Sequence, residues 1–148
     1  MKIKIIAVGC LKEPYYREGQ KLFMREINKR VQIEVVEAPQ EKSPESLSEA
    51  LRNSVKQTEG RGVLRHIHSI DKVVALEIKG KPLDSSALRD MLDVACEGAL
   101  TFVIGGSLGL GENVLKRADF KASFSSLTFP HQLMRIMLLE AISLALGV

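Results

Sequence analysis

Hydrophobic and polar positions along this chain switch repeatedly between a two-residue and a helical period. Lys2–Val8 alternates lysine with isoleucine before an apolar run, which predicts an opening strand. Pro14 then suits a helix start, and Tyr15, Gly19, Leu22, Phe23 and Ile27 recur at helical spacing. Residues 31–37 alternate again as a second strand, and residues 38–44 form a polar loop with two prolines. A polar helix is expected from about Glu45, weakening at Gly60-Arg61-Gly62. Residues 72–78 read as a third strand, with a turn at Gly80-Lys81-Pro82.

The second half repeats the alternation. Asp84 or Ser85 can cap a helix with Leu88, Met91, Leu92 and Ala95 on its apolar face. Leu100–Ile104 is short and almost wholly apolar, as expected of a strand covered on both faces. A short helix over residues 112–118, a short strand over 122–124 and a helix from His131 to the end complete the series. The order β-α-β-α-β-α-β-α-β-α predicts one α/β domain over residues 1–148, a mostly parallel sheet flanked by helices. From Leu133 to Leu146 the last helix is apolar around most of its circumference. Such a helix must be buried on more than one side, by the rest of a monomer or by a second copy in a homodimer, the arrangement expected here.

Two loops stand at strand-to-helix junctions, where open α/β sheets bind ligands. The first is Ile104-Gly105-Gly106-Ser107-Leu108-Gly109-Leu110-Gly111, and the second spans Ser125-Ser126-Leu127-Thr128-Phe129-Pro130-His131-Gln132. The glycine loop does not match G-x-G-x-x-G, and Glu112 stands where a P-loop has lysine. It also follows the fourth strand, whereas a dinucleotide loop follows the first. A tight turn without a ligand is one reading of it; close backbone approach to a small molecule is the other.

Taken together, Val103-Ile104-Gly105-Gly106-Ser107, Ser123-Phe124-Ser125 and Leu127-Thr128-Phe129-Pro130-His131-Gln132-Leu133-Met134-Arg135 resemble the RlmH family of ribosomal RNA methyltransferases. The opening Lys2-Ile3-Lys4-Ile5-Ile6-Ala7-Val8-Gly9 and Leu76-Glu77-Ile78-Lys79-Gly80-Lys81 carry the same resemblance, which keeps one register from Met1 to about Glu140. It implies the SPOUT fold, with a C-terminal trefoil knot, one of the exceptions to unknotted chains. It also implies S-adenosylmethionine as methyl donor, held by Leu76, Gly105 and the segment Phe124, Ser125, Ser126, Leu127, Thr128 and Phe129. Adenine and ribose are neutral, so backbone groups and apolar walls such as Leu76, Leu127 and Phe129 suit them.

The implied reaction is methylation of N3 of pseudouridine 1915, in helix 69 of bacterial 23S rRNA in the ribosome. The N3 proton must leave, and much of the rate can come from positioning. His131 and Arg135 are the candidate catalytic pair, one helical turn apart. Arg135 is expected to contact phosphate or the donor's carboxylate. His131 is expected to orient the substrate or the loop, with capping of the last helix as its alternative role. Members of the family continue past the position of Glu140 with Tyr-Arg-Ala and end in a Tyr-His-basic tail on the substrate side. Here Ser143-Leu144-Ala145 stands in the first place and the sequence ends at Gly147-Val148. A catalytically impaired relative serving as an RNA- or ribosome-binding module is therefore the alternative.

Charge refines the picture. Net charge is +3, but residues 1–30 hold eight Lys/Arg against three acids. Arg17, Lys21 and Arg25, continued by Lys29, repeat every fourth residue of the first predicted helix. Either they form a phosphate-tracking ridge for RNA or, paired with neighbouring glutamates, a solvated face. The acidic series Glu34, Glu37, Glu41, Glu45 and Glu49 reads as a solvated rim, and His66 and His68 as surface residues. Cys10 and Cys96 have no metal or redox spacing, no metal cluster or membrane span is expected, and a cytoplasmic protein with two reduced thiols follows.

Overall fold

The computed structural model describes residues 1–42, 48–94 and 96–148. Its elements are β1 (Lys2–Val8), α1 (Pro14–Ile27), β2 (Gln32–Ala38), α2 (Glu49–Leu64), β3 (Lys72–Pro82), α3 (Ser85–Asp93), β4 (Leu100–Ile104), α4 (Glu112–Arg117), β5 (Phe120–Ser123) and α5 (His131–Leu146). The strands form one sheet in the order β2-β1-β4-β3-β5, every neighbouring pair parallel.

Alternation along the strands divides the core into two layers. Ile3, Ile5 and Ala7 of β1 join Phe102, Ile104, Ile27, Leu88, Leu92, Leu138, Leu139 and Ile142 beneath α1, α3 and α5. Ile6 and Val8 join Val73, Val103, Val63 and Val114 beneath α2 and α4. Every residue of β4 is buried, as its near-continuous apolar run requires between two helical layers. Each large aliphatic side chain so buried contributes about 1.5–3 kcal/mol relative to exposure.

On the α2/α4 face, Lys4 is 4% exposed. Its ammonium donates to the His66 carbonyl at 2.7 Å and lies 3.6 Å from the Asp71 carboxylate. Asp71 also accepts from the N–H groups of His68 and Ala99. Burial alone would raise this carboxyl, but those two N–H groups and Lys4 hold it below its ordinary value. The pair pins the N-terminal ends of β1, β3 and β4 together.

Several element bounds differ from the sequence expectation. The expected start of the second helix near Glu45 lies outside the described residues, as does Ala95, expected on the apolar face of the third helix. Gly60 and Gly62 do not weaken α2, which runs through both to Leu64. Gly60 serves close packing, since a Cβ there would collide with the Asn113 side-chain amide of α4; one on Gly62 would make ordinary contact, 3.4 Å from Pro39. The expected turn at Gly80-Lys81-Pro82 is instead the end of β3. The register breaks between Leu76 and Lys81 and then resumes against Ala122. Gly80 passes so close to the β5 backbone that a Cβ would be 2.7 Å from the Ala122 nitrogen. β5 itself begins two residues before the expected position, with Phe120 opposite Val74.

α5 lies between α1 and α3 on one face of the sheet. Gly19 of α1 faces Ile136, where a Cβ would make ordinary van der Waals contact at 3.7 Å. Leu138, Leu139 and Ile142 are fully buried, while Leu144 is 68% exposed, so the monomer covers most but not all of the helix. Tyr15 and Leu22 of α1 are also exposed, at the positions where the sequence pattern placed them on an apolar face. α5 ends in a Schellman turn: Gly147 has φ 71°, its N–H donates to Leu144, and the Val148 N–H donates to Ser143.

Candidate functional site

The C-terminal ends of β3, β4 and β5 open into one cleft of about 620 Å³, within the size range of small-molecule sites. β3 contributes Leu76 and the first residues of its bulge, Glu77 and Ile78. β4 leads directly into the glycine loop, and β5 into the segment that runs to His131.

The glycine loop is built by backbone contact. The Gly109 N–H donates to the Gly106 carbonyl at 3.0 Å, and Gly109 takes φ 89°, a conformation L side chains rarely adopt. Gly105 faces the returning strand so closely that a Cβ would be 2.7 Å from the Gly109 carbonyl carbon. The third segment is likewise shaped by its own serines. Ser123 Oγ donates to the Ser125 carbonyl at 2.9 Å, and Ser125 Oγ accepts from the Leu127 N–H at 3.0 Å. Both loops therefore hold a form before any ligand arrives.

Of the residues that the sequence nominated for the methyl donor, Leu76, Gly105, Phe124, Ser125, Leu127, Thr128 and Phe129 line this cleft. Ser126 belongs to the same loop but is exposed and does not line the cleft. The lining is largely apolar or backbone, with Glu77 as its single carboxylate among the described residues. It suits a neutral aromatic base and a sugar better than a polyphosphate. Among the described residues no group of three or more His, Cys, Asp or Glu side chains could hold a metal ion.

His131 stands at the cleft edge as the first residue of α5. The N-cap is Pro130, and the imidazole makes no capping hydrogen bond. Partial burial, reinforced by the positive charges of Arg135 and Lys12, holds its pKa below the ordinary value. The ring is thus neutral at neutral pH and able to accept a proton or a hydrogen bond.

Arg135 lies away from the cleft lining and is 1% exposed. Its Nη1 donates to Glu37 at 2.7 Å and to Gln20 at 3.3 Å, and its Nη2 donates to the Gly9 carbonyl at 3.1 Å. One turn of α5 is enough to carry the side chain from the cleft to the C-terminal ends of β1 and β2. Nearby, Gln132 Oε1 accepts from the Lys12 N–H at 3.0 Å. These bonds fix the start of α5, and with it His131, against the loop that follows β1. Glu37 is both an ion-pair partner and, at 44% exposed, open to solvent, and the similarly exposed Glu34 pairs with Lys2 at 3.2 Å.

The α1 series is exposed, but much of its charge is engaged locally. Arg17 donates to the carbonyls of Leu11 and Lys12. Lys21 lies 3.9 Å from Glu18, and Arg25 lies 3.6 Å from Glu26. Lys29 donates to Glu26 at 2.6 Å and, with Arg25, draws that carboxyl below its ordinary value. Cys10 is exposed and Cys96 half-buried, both as free thiols.

Glu77, Ile78 and Met134 stand in the cleft wall although the sequence did not nominate them as ligand contacts, beside Ser107 and Leu108 of the glycine loop. The rule that ligands gather at strand ends would have pointed to Glu77 and Ile78. Met134 had no such signal, because its place on α5 resembles a core position.

Known proteins resemble this chain along nearly its whole length. A family model described as "Predicted SPOUT methyltransferase" matches residues 1–146. The chain is 48% identical over 145 residues to the ribosomal RNA large subunit methyltransferase H of Alkaliphilus oremlandii, covering 96% of this chain and 91% of that protein. Proteins of the same name from Pediococcus pentosaceus and Enterococcus faecalis are 47% and 43% identical, with the same coverage.

Proposed function

Because the chain belongs to the SPOUT methyltransferase family, we propose that it methylates large-subunit ribosomal RNA with S-adenosylmethionine, at N3 of pseudouridine 1915. The observation that carries this reading is the convergence of three strand-end loops on one cleft. Its walls are apolar and backbone-rich, and a neutral histidine stands at its edge. The relatives named as ribosomal RNA large subunit methyltransferase H support the substrate class.

When bound, S-adenosylmethionine supplies an electrophilic methyl carbon on a sulfonium. Leu76, Leu127 and Phe129 would enclose its adenosine, and the Gly105–Gly109 backbone and the Ser125 loop would meet its polar groups. These contacts need little rearrangement, since both loops are already hydrogen-bonded in shape. The reaction replaces the N3–H bond of the base with an N–CH3 bond, so a proton must leave. His131, neutral and at the cleft edge, is suited to accept that proton or a hydrogen bond from the base ring. Arg135 acts at a distance, by holding α5 in place. Lys21 and Arg25, exposed on α1, are the candidate RNA phosphate contacts; Arg17 shares that surface while bonding its own loop. A homodimer would cover Leu144, Tyr15 and Leu22.

The test is methyl transfer from labelled S-adenosylmethionine to ribosomes from cells lacking this modification, with the modified nucleotide located by mass spectrometry. Label at N3 of pseudouridine 1915 is expected. Donor binding and ribosome binding without transfer would favour the non-catalytic RNA-binding module instead.

A further inference from the structure

Glu59 is a carboxylic acid that nothing in the reaction uses, yet it is 5% exposed. It sits on α2 beside Gly60, which the Asn113 side chain of α4 presses closely. One oxygen, Oε2, accepts from the Glu41 N–H at 3.1 Å. The other, Oε1, is buried without a hydrogen-bond partner among the described residues. A buried polar oxygen left unpaired destabilises the fold, so its retention calls for a reason. The surroundings supply one. A Cβ built on Gly106 would lie 3.3 Å from Oε1, 3.4 Å from Oε2 and 3.2 Å from Val8. Gly106 lines the cleft and Glu59 does not, so the carboxyl group stands behind the glycine loop.

We propose that Glu59 is a positioning residue that sets the glycine loop for the methyl donor, joining that loop to the chain at Glu41. The inference rests on the reading of the cleft as a donor site. Gly106 has no side chain through which to be held, so its position depends on what stands against its backbone. The Glu59 side chain fills that place, and its own position is held by the Glu41 N–H. Burial, with the nearby Glu41 carboxylate, pushes the Glu59 pKa up, although the Glu41 N–H opposes the shift. A side chain acting here through shape and hydrogen bonding can therefore be replaced by its amide.

The experiment compares wild type, Glu59→Met and Glu59→Gln. Donor affinity is read by calorimetry with S-adenosylmethionine, kcat and KM by methyl transfer to unmodified ribosomes, and Tm without ligand. Methionine keeps the volume but removes both acceptor oxygens; glutamine keeps one acceptor and the shape. Glu59→Met is expected to raise the donor's Kd and KM about tenfold with kcat at saturation within about twofold, and Glu59→Gln to stay within about threefold of wild type. A lowered Tm with unchanged donor affinity in Glu59→Met would overturn the proposal, as would equal weakening in both variants. If Glu59→Met does not fold, Gly106→Ala takes its place, because its new Cβ presses the loop away from Glu59; donor affinity equal to wild type would then overturn the proposal. Wild type that binds no donor overturns the donor-site reading and this inference with it, an outcome distinct from wild type and variant binding equally well.

Discussion

Arg135 and Glu37 form an ion pair at 2.7 Å across 98 residues of chain, with the two side chains 1% and 44% exposed. The pair joins the start of α5 to the end of β2, and through the Gly9 carbonyl to the end of β1. It explains how a helix that begins at the cleft is held in place by contacts outside it.

The unequal burial gives the pair an asymmetric energy. Removing Glu37 leaves a guanidinium inside the protein without its counter-charge, whereas removing Arg135 leaves a carboxylate that already reaches water. Glu37→Ala is therefore expected to cost about 3 kcal/mol and Arg135→Met less, measured by urea denaturation at neutral pH. The reverse order would show that packing of the arginine stem outweighs its charge.

His131 should titrate below free imidazole. Its native-state pKa is depressed, so the unfolded chain binds the proton more readily. Its contribution to stability is accordingly full above the unfolded value and lost as pH falls from that value through the lower folded one. His131→Gln should remove this acid-dependent part while lowering methyl transfer about tenfold or more. NMR titration of the imidazole, with unfolding at several pH values, checks the sign.

Glu59 has the opposite dependence. Its folded pKa is raised, so wild type loses stability relative to Glu59→Gln as pH rises from the ordinary carboxyl value through the folded one. Denaturation curves of the two proteins at pH 4 and pH 7 should diverge in that direction. A difference independent of pH would show that the carboxyl binds its proton equally well in the folded and unfolded chain.

Gly60→Ala should separate α2 from α4, because its Cβ would strike the Asn113 amide. That amide donates to the Gln57 carbonyl at 3.0 Å and cannot move without breaking the bond. A destabilisation of about 1–3 kcal/mol is expected. In a double-mutant cycle with Asn113→Ala the two effects should be non-additive, since each removes the other's cause.

For RNA, replacing Lys21 and Arg25 with glutamine should reduce the salt dependence of binding by about one unit of log–log slope for each phosphate no longer neutralised. Arg17→Gln should also lower Tm, because Arg17 bonds two carbonyls of its own loop. An unchanged salt slope in the Lys21 and Arg25 variants would assign those charges to their glutamate neighbours.

The alternation of strands and helices was legible along the chain, because two-residue and helical periods are local properties. So were the glycine loop and the Thr128-Phe129-Pro130-His131 segment, since glycine, proline and serine shape backbone over a few residues. The fates of Arg135 and Glu59 were not legible there. Their partners, Glu37, Gly9, Glu41 and Gly106, come from distant parts of the chain, and only the order in which strands assemble brings them together. The same applies to Gly60 and Gly80, which look like helix and strand breakers but are places where another element passes too close for a side chain. Local pattern decided what each segment becomes; the tertiary structure decided which polar groups lost their water, and therefore which charges face a ligand and which hold the fold.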